Sequence, residues 1–183
     1  MDFTPHFKLS PFTSWQIGGL ADWYCLPETE DDLVAAVRFA HERNLPWTVL
    51  GGGSNVLVSD EGIEGLVIGL RKFNKIEITE ESGRLSLECQ AGVGKSELLK
   101  AFLKHKLPPA EFLAGLPGDV GGGIVMNAGV AESLKPREFC EIVDWFEVLR
   151  WENEGPRFYR WNRNEVQWAY RHSLGWQPGT IVS

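Results

Sequence analysis

Cysteine is scarce in this chain of 183 residues, and the three present, Cys25, Cys89 and Cys140, lie far apart with no histidine pair near them. That count and spacing exclude a disulfide framework and a zinc site, and leave reduced thiols in a cytoplasmic protein as the expectation. An excess of positive charge is also missing: 18 basic against 25 acidic side chains give a net charge of −7. Such a chain exerts no long-range pull on phosphate-rich polymers or anionic bilayers, so neither nucleic acid nor membrane is expected as a partner. No segment approaches the ~20 consecutive apolar residues that span a bilayer, and residues 1–10 contain no apolar run of the signal type. Repeats and low-complexity tracts are absent as well. Core material is not: 43% hydrophobic and 11% aromatic content suffices for folding without staples, as one domain or two closely packed subdomains.

What is present is glycine, and it is clustered. Residues 29–44 predict a helix, with Thr29 as cap, Asp31 and Asp32 at its positive end, and Leu33, Val37 and Ala40 on one face before Asn44 and Pro46. Trp47 to Leu50 then predicts a buried strand that runs directly into Gly51-Gly52-Gly53-Ser54-Asn55 and an extended Val56-Leu57-Val58. Val67, Ile68, Ile76, Ile78, Leu85 and Leu87 mark further short strands, separated by Asn74, Ser82 and Gly83. An amphipathic stretch begins near Ser96, with Leu98, Leu99, Phe102 and Leu103 on one face and Pro108 and Pro109 as its end. Residues 111–130 form a second glycine-dense segment that opens a short helix. Beyond it, a strand pair is expected from Ile142–Trp151 and Arg157–Trp161 around a turn at Asn153–Gly155, and Ile181-Val182-Ser183 starts another strand.

Two glycine-dense loops that follow apolar segments suit a site where main-chain N–H groups approach an anionic diphosphate, because glycine admits close approach and positive φ. Taken singly, either loop is as well explained by a turn or a close helix crossing. The usual phosphate motifs fail. Gly94-Lys95-Ser96 ends like a P-loop, but Cys89 stands where G-x-x-x-x-G-K-[ST] needs its first glycine. The dinucleotide fingerprint G-x-G-x-x-G fails at Gly51 because of Val56, and at Gly92 because of Glu97, which disfavours a Rossmann domain.

Six motifs in order carry a resemblance. They are Thr13-Ser14-Trp15-Gln16-Ile17-Gly18-Gly19, then Leu50 to Val58, Ala91-Gly92-Val93, Phe112 to Gly122, Asn127-Ala128-Gly129, and Tyr170-Arg171-His172-Ser173. Together they resemble the UDP-N-acetylenolpyruvoylglucosamine reductases over nearly the whole chain. The G-G-G-S-N loop is shared with other flavoproteins of the p-cresol methylhydroxylase/vanillyl-alcohol oxidase (PCMH/VAO) type, whereas G-[IL]-P-G-x-V-G-G with Y-R-H-S is far more specific.

The resemblance implies an α+β FAD-binding fold of the PCMH/VAO type, with two α+β subdomains, residues 1–72 and 73–183, clasping non-covalent FAD. It implies cofactor contacts from Gly51, Gly52, Gly53, Ser54, Asn55, Val56 and Leu57, from Gly115, Leu116, Pro117, Gly118, Val120, Gly121 and Gly122, and from Asn127, Ala128 and Gly129. The implied reaction reduces the enolpyruvyl double bond of UDP-N-acetylglucosamine enolpyruvate to UDP-N-acetylmuramate, a peptidoglycan precursor for cell-wall biogenesis, with NADPH as hydride donor. Flavin is needed because side chains do not carry hydride. Arg171 matches the family's catalytic arginine: charge that develops on the substrate carboxylate calls for a fixed, bidentate cation. Without the motif, an ordinary surface ion pair is the plainer reading of an arginine. Tyr170 is expected to line the flavin or substrate pocket, and His172 to be a bystander. Trp145, Trp151, Trp161, Trp168 and Trp176 read as core and edge aromatics.

The family continues into a substrate-binding domain, which supplies a proton-donating serine and a glutamate that works with the arginine; neither has a matching position in this chain. After Asn127-Ala128-Gly129 the family has a small residue, an aromatic and glycine, where this chain has Val130-Ala131-Glu132. Two alternatives stand beside the reductase reading: a non-catalytic flavin-binding module, and an oxidase of the wider PCMH/VAO type.

Overall fold

The computed structural model describes residues 1–81, 84–107, 111–130, 137–174 and 180–183. Strands β1 (Thr4–Lys8), β2 (Leu20–Cys25), β3 (Trp47–Leu50) and β4 (Ile63–Gly69) form one sheet in the order β1-β2-β4-β3. β1 runs antiparallel to β2, while β2 and β3 both run parallel to β4. The parallel pairs demand a crossover, which helix α1 (Glu30–Glu42) provides between β2 and β3. Its start is a capping box: the Thr29 side chain accepts from the Asp32 amide, and the Asp32 carboxylate accepts from the Thr29 amide. Leu33, Ala36, Val37 and Ala40 then form its buried stripe, at the spacing the sequence shows. Asn44, at φ 53°, turns the chain out of the helix.

The second half begins with the hairpin β5 (Ile76–Glu81) and β6 (Arg84–Cys89), followed by α2 (Lys95–Lys104). Helix α3 (Val120–Val125) leads to the short pair β7 (Gly129–Val130) and β8 (Arg137–Glu138). β9 (Trp145–Glu152) is flanked on both sides by antiparallel partners, β10 (Gly155–Asn162) and β13 (Thr180–Val182). The final hairpin pairs β11 (Gln167–Ala169) with β12 (His172–Leu174). The sequence-based strands and helices are thus present, with three differences. The Trp47–Leu50 strand, expected to be buried, is the edge strand of its sheet and only Leu50 is buried. α2 starts at Lys95 after a Gly94 cap, and Leu103 is exposed instead of sharing the buried face with Leu98. The expected features at Ser82–Gly83, Pro108–Pro109, Ala131–Glu132 and Trp176 lie outside the described residues.

One core cluster joins Leu33, Val37 and Leu66 of the first half with Leu98, Val120 and Val148 of the second. α1 bridges them, stacking His41 on Trp151 of β9 at a centroid distance of 3.7 Å. Trp151, Trp161 and Trp168 pack partly buried against this cluster, as expected of edge aromatics. The three cysteines are free thiols, and burial pushes Cys25 up to about 12 and Cys89 up to about 11, which keeps them protonated and unreactive. Among the described residues no group of His, Cys, Asp and Glu could hold a metal, and no helix is long and apolar enough to cross a membrane.

Phe73 sits at the junction of the halves, 1% exposed, and its carbonyl accepts the Gly92 amide at 2.8 Å. Phe73→Ala is expected to cost about 3–5 kcal/mol of folding stability by cavity formation. Urea denaturation measures this; a loss under about 1 kcal/mol would mean that the junction does not depend on that ring.

Candidate functional site

Three glycine-containing turns meet at one place, and main-chain hydrogen bonds hold them there. Residues 91–95 lie antiparallel to residues 118–121: Gly121 N–H donates to the Ala91 carbonyl at 2.8 Å, Val120 N–H to Val93 at 2.9 Å, and Lys95 N–H to Gly118 at 3.0 Å. Gly92 permits this by fitting against the turn after β4, where an added Cβ would lie 1.8 Å from the Leu70 carbonyl oxygen. The first loop, residues 51–55, leaves β3 and packs on the same segment. A Cβ on Gly52 would stand 3.3 Å from Gly118 Cα, and one on Gly51 would collide with the Asp119 carboxylate.

Asp119 joins the loops chemically. One oxygen accepts the Gly52 amide across 67 residues of sequence, and the other accepts the Gly122 amide at 2.9 Å as the cap of α3. Donors of both loops therefore already converge on anionic oxygens, which is the property a diphosphate site needs. Among the described residues, no partner within the chain takes the amides of Gly53, Ser54 or Asn55. Gly115, at φ 80°, and Gly118, at φ 92°, hold conformations that favour glycine; Gly115 also has open space where a side chain would go.

The expected site residues divide into two groups. Gly51, Gly52, Ser54, Gly118 and Gly122 come together with main chain at or near the surface. Asn55, Val56, Leu57, Gly115 and Pro117 are exposed around them, and Leu116 is half-buried. Leu57 is 75% exposed and Trp15 70% exposed, and Ser14 N–H donates to the Gly53 carbonyl, which ties the segment before Trp15 to the loop. Gly53, Val120, Gly121, Asn127, Ala128 and Gly129 are instead buried. Gly121 packs on Ala91, whose Cβ would be 2.9 Å from an added Cβ, so its small size serves the turn contact.

Asn127 is fully buried at φ 40°. Its side-chain N–H groups donate to Glu138 at 2.9 Å and to the Ala169 carbonyl at 3.0 Å, and its oxygen accepts the Cys140 amide at 3.1 Å. It thereby fastens the β11–β12 hairpin to the second glycine segment. Ser173 adds to this by donating to the Ile124 and Val125 carbonyls. The tip of that hairpin is Tyr170-Arg171, with Arg171 at φ 55° and Tyr170 76% exposed. Both residues line a small crevice with Asn127, Gly129 and Arg137, and His172 is exposed beside them.

Two residues outside the expected set belong here. Asp119 is the unspecified position of G-[IL]-P-G-x-V-G-G, and its place just before a glycine-rich helix start is an N-cap signal. Lys95, 5% exposed, donates from Nζ to the Pro117 carbonyl at 3.0 Å. Burial pulls its ammonium below the ordinary lysine range; the Asp119 carboxylate opposes that shift and Arg171 adds to it. A cavity of about 460 Å³ lies elsewhere, among Phe73, Leu87, Phe102, Ile142 and Phe146. It touches the second glycine segment at Val120 and Ile124. Without donors converging as they do at the glycine turns, it is the weaker candidate for an anionic ligand.

A profile of the FAD binding domain family matches residues 21–154. The chain belongs to the FAD binding domain family. Within it, the chain is 36% identical over 181 residues to a UDP-N-acetylenolpyruvoylglucosamine reductase of Prochlorococcus marinus, covering 97% of this chain and 55% of that protein. It is 37% identical over 175 residues to the enzyme of that name from Heliobacterium modesticaldum, covering 95% and 52%. The chain thus spans about half the length of the curated relatives it matches. The crystal structure of the Thermus caldophilus reductase superposes with a TM-score of 0.72 at 28% identity, over 99% of this chain and 59% of that one. A cholesterol oxidase from Brevibacterium sterolicum, at 16% identity over 89% of this chain and 33% of that one, superposes with a TM-score of 0.64 and shares the fold alone. The expected α+β FAD-binding fold of PCMH/VAO type and the FAD cofactor are therefore borne out.

The two burial classes separate two kinds of glycine. Gly52→Val is expected to leave a folded chain with at least tenfold weaker FAD binding, whereas Gly121→Val lowers thermal stability first, since the branched carbon meets Ala91. Melting curves paired with flavin titration check both; equal stability of the two variants would contradict the division. Asn127→Ala leaves buried groups without partners and is expected to cost roughly 2–3 kcal/mol in denaturant unfolding. A neutral result would show that the hairpin is held by other contacts.

Proposed function

We propose that this chain is the FAD-binding part of an NADPH-dependent reductase that converts UDP-N-acetylglucosamine enolpyruvate to UDP-N-acetylmuramate for peptidoglycan synthesis, acting in the cytoplasm. The carrying observation is the meeting of the two glycine loops on shared anionic oxygens, in a chain similar along its length to reductases of that name. In this reading residues 1–72 and 73–183 act as two subdomains around the cofactor. The main chain of residues 53–55, 115 and 118, beside the Gly52 and Gly122 amides that Asp119 engages, takes the diphosphate, and Val56 and Leu57 offer an apolar edge to the ring system.

When bound, FAD supplies the hydride relay from NADPH to the enolpyruvyl double bond. This chain's part is position and charge. Arg171, held at the hairpin tip by Asn127 and Ser173, presents a planar fork to the carboxylate of the UDP-sugar substrate, where negative charge grows as hydride arrives. The neighbouring Tyr170 ring, 5.5 Å from the Arg171 guanidinium carbon, lines the same edge. A substrate domain of the longer relatives would supply the proton donor. The purified chain is expected to be yellow, or to turn yellow with FAD, and a protein that stays colourless after incubation contradicts the reading. Arg171→Lys in a full-length enzyme is expected to lower kcat by at least about 100-fold with FAD retained; unchanged turnover would remove Arg171 from the chemistry.

A further inference from the structure

A carboxylate at the centre of an anion-binding cradle poses an electrostatic problem. Asp119 holds the Gly52 and Gly122 amides, so a dianionic diphosphate that settles on the neighbouring amides meets a negative charge already in place. At close range in a partly buried site, like charges cost several kcal/mol unless a cation compensates. Lys95 is placed to do so. Its ammonium would lie 3.5 Å from a Cβ on Gly118, the residue next to Asp119, and Nζ donates to Pro117 at 3.0 Å, which leaves donors beyond that one bond. A lysine 5% exposed is rare without a charge to serve, because a buried ammonium is expensive.

Resting on the FAD reading above, we propose that Lys95 is the charge-compensating residue of the cofactor cradle: its ammonium offsets Asp119, so that loops clamped by a carboxylate still retain the diphosphate of FAD. Asp119 keeps the two loops together and Lys95 makes that clamp compatible with an anionic ligand. The two side chains therefore act as a pair. Removing the cation alone leaves one carboxylate facing two phosphates, whereas removing both charges restores the original balance.

The test is a double-mutant cycle on the 183-residue chain, read as FAD dissociation constants from flavin fluorescence after the bound flavin is stripped, with thermal melting as the folding control. Lys95→Met is expected to bind FAD at least about tenfold more weakly, and Lys95→Arg within about fivefold of wild type. Asp119→Asn alone is expected to lose affinity through the loosened clamp, and Lys95→Met/Asp119→Asn to bind FAD at least about threefold more tightly than the sum of the two single losses predicts. Equal binding by wild type and Lys95→Met, or purely additive losses in the double variant, would overturn the proposal while leaving the FAD reading intact. Where Lys95→Met does not fold, Lys95→Gln takes its place: binding at least about tenfold weaker than that of Lys95→Arg supports the proposal, and equal binding overturns it. A folded wild-type chain that binds no FAD defeats the proposed function, and this inference with it.

Discussion

The carboxylate of Asp119 fixes the distance between two loops that the chain makes 67 residues apart. Everything proposed for this chain depends on that closure, because neither loop alone encloses a ligand. The closure has a steric side as well as a polar one. A Cβ on Gly51 would collide with the Asp119 carboxylate, and one on Gly52 would press on Gly118 Cα. Glycine is therefore required here for approach between two stretches of main chain, and the exposed amides are a consequence of it.

The rest of the fold serves to hold that meeting point. The β1–β4 sheet delivers the first loop from the end of β3, and the Leu70–Phe73 turn receives Gly92, which in turn orders the second loop through Ala91 and Val93. Asn127 and Ser173 then tie the hairpin carrying Arg171 to the same helix that Asp119 caps. The proposed cation for the substrate and the proposed cradle for the cofactor are in this way tied to one short piece of chain, α3.

Much of this was legible in the residues themselves. The Thr29 cap and the Leu33, Val37, Ala40 stripe announce α1, and the apolar residues Ile76, Ile78, Leu85 and Leu87 announce short strands, because both signals are local. The glycine loops and the Y-R-H-S segment were legible through family resemblance, and the residues expected there do cluster in space. The roles of Asn127 and Gly121 were not, since burial and partners decide them: one is spent on internal hydrogen bonds and the other on contact with Ala91. Lys95 was readable only as part of a failed P-loop, and Asp119 only as a motif's unspecified position. Their pairing depends on tertiary proximity, which no spacing rule encodes.

The account's central claim is that the two glycine turns grip one diphosphate together. Titrating a 15N-labelled chain with FAD and following its backbone amide resonances tests this most directly. The amides of Gly52, Gly53, Ser54, Gly118 and Gly122 are expected to shift in concert and saturate together. Shifts confined to residues around the Phe73 and Phe146 cavity, with the glycine amides unmoved, would contradict it.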